Sequence, residues 1–223
     1  MTEKQRQIVI PGEEIAKGND YLPGENTEKR GDAIVALRYG LSEESNKLVR
    51  VIPLSGVYHP RRGNSVIGKV IMVTFNGWVI DIGASDNAFL SLMEVPRFVN
   101  KDNLEEVLEI GDMLNAKIWA INKRGIDLSI KQRGFGKIEE GIITRINPNK
   151  VPRLIGKEGS MINIIKENTG CNITVGQNGI IWIKADKVED ELFARRAIEF
   201  IESKSYISGL TDEVTKWFGE NKK

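Results

Sequence analysis

Residues 65–83 read SVIGKVIMVTFNGWVIDIG, two alternating apolar runs on either side of an Asn-Gly pair. Alternation with a period of two is the signature of a strand with one buried face, and Asn76-Gly77 supplies the backbone twist that joins two such strands antiparallel. This segment therefore has to be a hairpin, and it needs partners, because a lone hairpin is marginal in water. They are at hand between residues 63 and 135: AFLSLMEV, GDMLNAKIWAIN and, after a Lys123-Arg124-Gly125 turn, IDLSIK, with a short helix expected at NLEEVLEI. Five strands in this length fit a small closed barrel of the OB type.

The period changes on both sides of the barrel. Residues 1–60 carry short β runs, IVIPG, GDAIVALRYGL and KLVRVIPLSGVYHP, separated by Pro, Gly and Asn. They read as hairpins of a small β domain, with the repeated tripeptide Val-Ile-Pro at 9–11 and 51–53 marking two edge strands, since proline cannot donate to a ladder. Residues 136–208 read strand, helix, glycine loop, helix, strand, strand, helix. GKIEEGIITRIN is the first strand, and Asp186 with Glu189 forms a capping box ahead of a helix bearing Val188, Leu192, Ala197, Ile198 and Ile201 on one face. Residues 209–223 are a tail or a short helix. The fold class expected is multidomain β and α+β.

Composition excludes several classes. The chain of 223 residues has 32 basic and 31 acidic side chains, and no third of it departs from neutrality by more than one charge. Any nucleic-acid site must come from local clustering. No apolar run is long enough to span a membrane, and MTEKQRQIVIPGEE lacks the apolar core of a secretory signal, so a cytoplasmic location is expected. One cysteine, Cys171, and one histidine, His59, support neither an internal disulfide nor a zinc site. Cys171 is expected to be buried. Asp81, Asp86 and Asp127 lack a ligand-like spacing. No catalytic residue, metal or cofactor is expected.

Two places carry candidate binding chemistry. Ile155-Gly-Lys-Glu-Gly-Ser-Met-Ile162 has the pattern I-G-x-x-G-x-x-I. Gly156 and Gly159 let a backbone approach closely, and the helix that follows turns its amide dipoles toward the same place, as in the loop with which a KH domain clamps nucleotides. It is not a P-loop, which needs glycine where Val151 stands and Ser or Thr where Glu158 stands. Arg145, Lys150, Arg153 and Lys157 make this stretch locally basic, either a phosphate-facing surface or a solvated helix face. Glu158 opposes an anion. On the barrel, Phe75 and Trp78 flank the Asn-Gly turn, with Phe89 on the next strand and Lys69, Lys123 and Arg124 supplying charge. Each aromatic either stacks a base or packs inward, and Trp78 shares parity with Ile80 and Ile82. Trp119 is expected in the core.

Together, FNGWVIDIG, AFLSLMEV, GIDLSIK, IGKEGSMI and the leading VIPGE and VIPLSGVYHPRRGN resemble an S1 barrel and a KH domain joined behind a β segment. That order is similar to the KH-containing cap subunits of the RNA exosome, the ribosomal RNA-processing protein 4 family, in its compact archaeal form. The resemblance implies a non-catalytic protein whose N-terminal segment docks on a hexameric ring of RNase PH-like subunits. Three copies would surround the entry pore and receive single-stranded RNA by its 3′ end. The RNA contacts expected are Lys69, Phe75, Trp78, Lys123 and Arg124 on the barrel and Arg153, Gly156, Lys157 and Gly159 on the loop. Two departures weaken the resemblance locally: Ser91 stands where many S1 barrels have histidine, and Glu158 sits in the loop. A stand-alone S1/KH regulator or a ribosome-associated protein is the alternative.

Overall fold

The computed structural model describes residues 7–96, 104–207 and 209–221, which divide into two compact units, Met1–Gly56 and Val57–Lys223. In the first unit, β1 (Ile8–Val9), β2 (Glu14–Lys17), β3 (Leu22–Pro23), β4 (Thr27–Arg30), β5 (Ala33–Ala36), β6 (Gly40–Ser45) and β7 (Leu48–Pro53) form two sheets. One has the order β1-β6-β7-β3 and the other β2-β5-β4. Val9, Ala36 and Val51 are buried together, with Ile15 against them. The edge expected at the first Val-Ile-Pro is present in β1. The second is not an edge, because β7 lies between β6 and β3; Pro53 is tolerated as the last residue of its strand.

The second unit begins with the barrel. Its strands are β8 (Ser65–Thr74), β9 (Gly77–Asp81), β10 (Ala88–Ser91), β11 (Met113–Asn122) and β12 (Gly125–Ser129). The antiparallel run β10-β9-β8-β11 is closed by β12, which pairs parallel with β10 and antiparallel with β11. Closure leaves none of the five with a wholly unpaired side. Alternation fills the interior: Val66, Val70, Trp78, Ile80, Leu90, Leu114, Ile118 and Leu128 are all buried.

Trp78 corrects the expectation that it serves as a stacking platform. Its ring is fully buried and its Nε1–H donates to the Leu108 carbonyl at 2.9 Å, which satisfies the indole's only donor. Leu108 reaches the core from the segment expected to be a helix. There, Val107 and Leu108 both donate to the Leu104 carbonyl, a single turn, and residues 97–103 just before it lie outside the described ones. Trp119 is the reverse case, with 54% of its surface exposed.

GKIEEGIITRIN is two strands. β13 (Gly136–Ile138) pairs with β11 of the barrel, whereas β14 (Ile142–Arg145) joins a second sheet of order β14-β16-β15 with β15 (Asn172–Val175) and β16 (Ile180–Lys184). The break falls at Gly141, where φ is +96° and a Cβ would strike the Ile183 carbonyl. α1 (Val151–Ile155), α2 (Ser160–Thr169), α3 (Val188–Ser203) and α4 (Leu210–Asn221) accompany this sheet, and Ile181 and Ile183 point into their shared core while Trp182 points away. Chain order β14-α1-α2-β15-β16-α3 is that of a KH domain.

The capping box is absent. α3 starts at Val188 with Lys187 as its cap residue, and it is Glu191, buried, that accepts the Ala185 N–H at 3.0 Å. The buried stripe of α3 is accordingly Glu191, Ala194, Ala197, Ile198 and Ile201, while Val188 and Leu192 are exposed. α4 lays Leu210, Val214 and Phe218 into the core and stacks Trp217 on Phe193 and Phe200, with ring centroids 5.4 and 5.5 Å apart. Cys171 is buried as expected, and burial pushes its thiol pKa up. No helix among the described residues is long and apolar enough to cross a membrane.

Candidate nucleic-acid interface

Strand pairing fixes how the barrel residues are arranged. On one outer face Val79 of β9 lies opposite Phe89 of β10, and Phe89 opposite Asp127 of β12. At the Ser91 end of β10 its partner is Gly77, beside the Phe75 turn; at the Ala88 end its partner is Ile126, beside the Lys123-Arg124 turn. The two turns thus flank the same face at opposite ends, about four residues or roughly 13 Å apart along the strand.

The first turn holds the aromatic end. Phe75 is 80% exposed. The turn beneath it is tied down: Thr74 Oγ1 donates to the Gly77 carbonyl at 2.9 Å, and the Leu92 N–H to the Asn76 carbonyl at 3.0 Å. Gly77 has φ +153°, and a Cβ there would overlap the Leu90 carbonyl oxygen and lie 3.0 Å from the tip of the Phe89 ring. No other residue fits. Phe89, half-buried, therefore lies across Gly77 toward the Phe75 turn. Ser91 is used locally, its Oγ accepting the Met93 N–H at 3.3 Å.

Charge gathers at the other end. Asn122 builds that turn by accepting the Arg124 N–H at 2.7 Å and donating to Asp127 at 2.8 Å, which leaves Lys123 and Arg124 exposed at the tip. Lys69 stands in the row toward the same end, opposite Asp81. Three nearby lysines are neutralised, Lys131 by Glu94 at 3.1 Å, Lys137 by Asp112 at 2.7 Å and Lys184 by Glu140 at 2.8 Å. The hydrogen bond that Lys137 donates to Asp112 raises the Lys137 pKa; at Asp112 burial pushes upward, and that bond, the Glu109 N–H and the Lys137 charge together outweigh it and hold the carboxyl low. Among the described residues, Lys69, Lys123 and Arg124 have no ion-pair partner. Their charge is available to an anion.

The glycine loop forms a separate element. α1 ends at Gly156, φ +75°, where a Cβ would sit 2.7 Å from the Met161 nitrogen, and α2 starts after Gly159, φ +83°, without a side-chain cap. Lys157 and Glu158 are exposed at its tip and Arg153 is half-buried on α1. Glu158 adopts φ +53°, ψ +27°, a left-handed conformation costing roughly 1–2 kcal/mol for a residue with a Cβ. Pattern reading gives no sign of that strain.

Sequence reading also overlooked the junction between barrel and KH region. The Asn178-Gly179 turn inserts into β8: Asn178 accepts the Ile67 N–H at 3.3 Å and donates to the carbonyls of Ile67 at 2.7 Å and Ile82 at 2.8 Å. Gln177 adds a pair to Ser65, its Oε1 accepting the Ser65 N–H at 2.6 Å while its own N–H donates to the Ser65 carbonyl at 2.8 Å. The barrel and the KH region are clasped together by these bonds. Among the described residues no three His, Cys, Asp or Glu side chains converge on a point where a metal could sit.

A KH-domain family model matches residues 141–189. The exosome complex component Rrp4 of Methanothermus fervidus is 43% identical over 215 residues, 96% of either chain. The chain belongs to the Rrp4 family of exosome complex components. Rrp4 of Thermococcus kodakarensis is 41% identical, covering 96% of this chain and 85% of that one, and Rrp4 of Nitrosopumilus maritimus is 38% identical over 94% of each. A crystal structure of an exosome complex RNA-binding protein superposes with a TM-score of 0.67 at 35% identity, covering 74% of this Rrp4-family chain and 97% of its own.

Proposed function

We propose that this Rrp4-family chain is a non-catalytic, cytoplasmic RNA-binding subunit that caps the exosome, a 3′-to-5′ RNA-degrading complex. Three copies would sit on a hexameric ring of RNase PH-like subunits, with residues 1–60 docked on the ring, and would capture single-stranded RNA and help feed it inward. The observation that carries this is the barrel face, with an aromatic end at Phe75 and Phe89 and a basic end at Lys69, Lys123 and Arg124. Bases stack on aromatic rings whatever their identity, and cations follow the phosphates. Such a face suits a strand passing through. Gly156, Lys157, Gly159 and Arg153 form a second, weaker contact, since Glu158 offsets Lys157.

A net charge of +1 supports weak capture by one copy and avidity from three. Reconstitution tests this: the chain added to ring subunits should join them and raise the affinity of the assembly for a single-stranded RNA. A chain that neither joins the ring nor changes its RNA affinity would refute the proposal. Tight RNA binding by the isolated chain, with no ring association, would favour the stand-alone regulator instead.

A further inference from the structure

Around the barrel from the face just described, β11 carries a bulge. Ile118 pairs with Leu128 and Ala120 with Asp127, so Trp119 is the extra residue, and it points outward because its neighbour Ile118 points into the core. More than half of its surface is open, in a barrel that buries its other tryptophan completely. The Arg62 guanidinium lies over the ring, 5.6 Å from its centroid, brought there because the preceding segment runs along β11: Gly63 donates to the Ile118 carbonyl and Ile118 to the Asn64 carbonyl, both at 2.8 Å. Arg62, Lys117, Trp119, Ser129 and Gln132 line a cavity of about 450 Å³. Among the described residues, none that lines it is a carboxylate. Lys117 donates to Gln132 at 3.2 Å, a neutral partner, and among the described residues neither it nor Arg62 has an ion-pair partner. The neighbouring Lys131 is neutralised by Glu94.

The geometry points to Trp119, Arg62 and Lys117 as a second single-strand RNA subsite, in which one base stacks on the open indole while Arg62 and Lys117 hold the flanking phosphates. An exposed indole with two unpaired cations and no acid is a combination that suits alternating bases and phosphates. A duplex would not fit, because its bases are already stacked. The inference rests on the RNA-binding proposal, and its test separates the two.

Binding of a single-stranded oligoadenylate by the full chain is measured by fluorescence anisotropy, in wild type, Trp119→Ala, Trp119→Phe, Arg62→Ala and, for the other face, Phe75→Ala. Trp119→Ala should weaken binding by about tenfold and Trp119→Phe by about threefold or less. Arg62→Ala should lower the salt slope by about one. Far-ultraviolet circular dichroism unchanged in Trp119→Ala, an exposed position, establishes that loss of binding is not loss of fold. If Phe75→Ala weakens binding while Trp119→Ala stays within about twofold, the subsite is overturned and the proposed function stands. Binding unaltered in Trp119→Ala with poorer assembly on the ring would make the patch a protein contact and also overturn it. A wild-type chain that leaves the oligomer unbound even at high concentration would overturn the subsite together with its premise.

Discussion

Asn178→Ala removes the side chain that ties the KH turn to the barrel. Three hydrogen bonds go at once, with the Ile67 N–H and the Ile67 and Ile82 carbonyls. Asn178 is buried, so alanine leaves those backbone groups without a partner in a confined space. At about 1 kcal/mol net for each, the junction should lose roughly 3 kcal/mol, about a hundredfold in its opening equilibrium. Because the second unit holds two modules, a single unfolding free energy is a poor readout. Native-state hydrogen exchange at the Ile67 amide is direct: its protection should fall by about a hundredfold. Amides in the middle of β9 and β16 should change only a few-fold. A fall at Ile67 of less than about fivefold would refute the reasoning and assign the junction to Gln177 and packing. Asn178→Asp adds a sign test. Its carboxylate would face two carbonyl oxygens, so burial and repulsion raise its folded pKa above the unfolded value. That variant should therefore be least stable at neutral pH and recover as pH falls and the acid becomes a donor.

Other outcomes follow from single sites. Tyr58 is buried, donates to Asn64 at 2.9 Å, and has its pKa pushed up to about 12 by burial. Its contribution should be intact below the unfolded value near pH 10 and be lost as pH rises toward 12. That loss is about 3 kcal/mol by linkage, visible in urea unfolding at stepped alkaline pH and missing in Tyr58→Phe. Glu158→Gly relaxes a left-handed residue and should raise the local stability of the loop by about 1 kcal/mol, read by exchange of the first α2 amides. In the assembled complex, Glu158→Lys should strengthen RNA binding if the loop touches phosphate; no change would make the loop architectural. Lys69→Ala with Arg124→Ala should lower RNA capture and its salt slope by about two, and unchanged capture would move the contact face elsewhere. Cys171 should react with a thiol reagent only on unfolding, which a timed colorimetric assay checks.

Much of the fold was legible in local pattern. Asn76-Gly77 between alternating runs dictates its hairpin, and the glycine loop between apolar helices dictates the KH order, because both signals lie within a few residues. What escaped depends on distant partners. Closure of the barrel rests on a parallel pairing of β10 with β12, and nothing in AFLS or IDLSI announces it. The two tryptophans show how far alternation reaches. Trp78 follows its parity with Ile80 inward, and Trp119, one residue past buried Ile118, had the opposite parity and pointed out; the apolar neighbours on both sides hid that. The capping box failed for a similar reason. Asp186 and Glu189 have the spacing, but the helix starts later and Glu191 performs the reach-back. Of the candidate site, the Phe75 and Arg124 turns were readable because turns declare themselves, whereas the Asn178 clasp looked like any other Asn-Gly turn.

That clasp also sets an order of events in synthesis. Asn178 meets a strand 111 residues earlier in the chain. The last barrel strand ends at Ser129, 49 residues before Asn178 (178 − 129), so at about 5–20 residues per second the barrel would emerge roughly 2–10 s before the turn that completes it. Through that interval the Ile67 amide and the carbonyls of Ile67 and Ile82 face water or a stray partner. The barrel must hold its shape without its KH neighbour for that long, and a chain truncated before Asn178 would remain in that unfinished state.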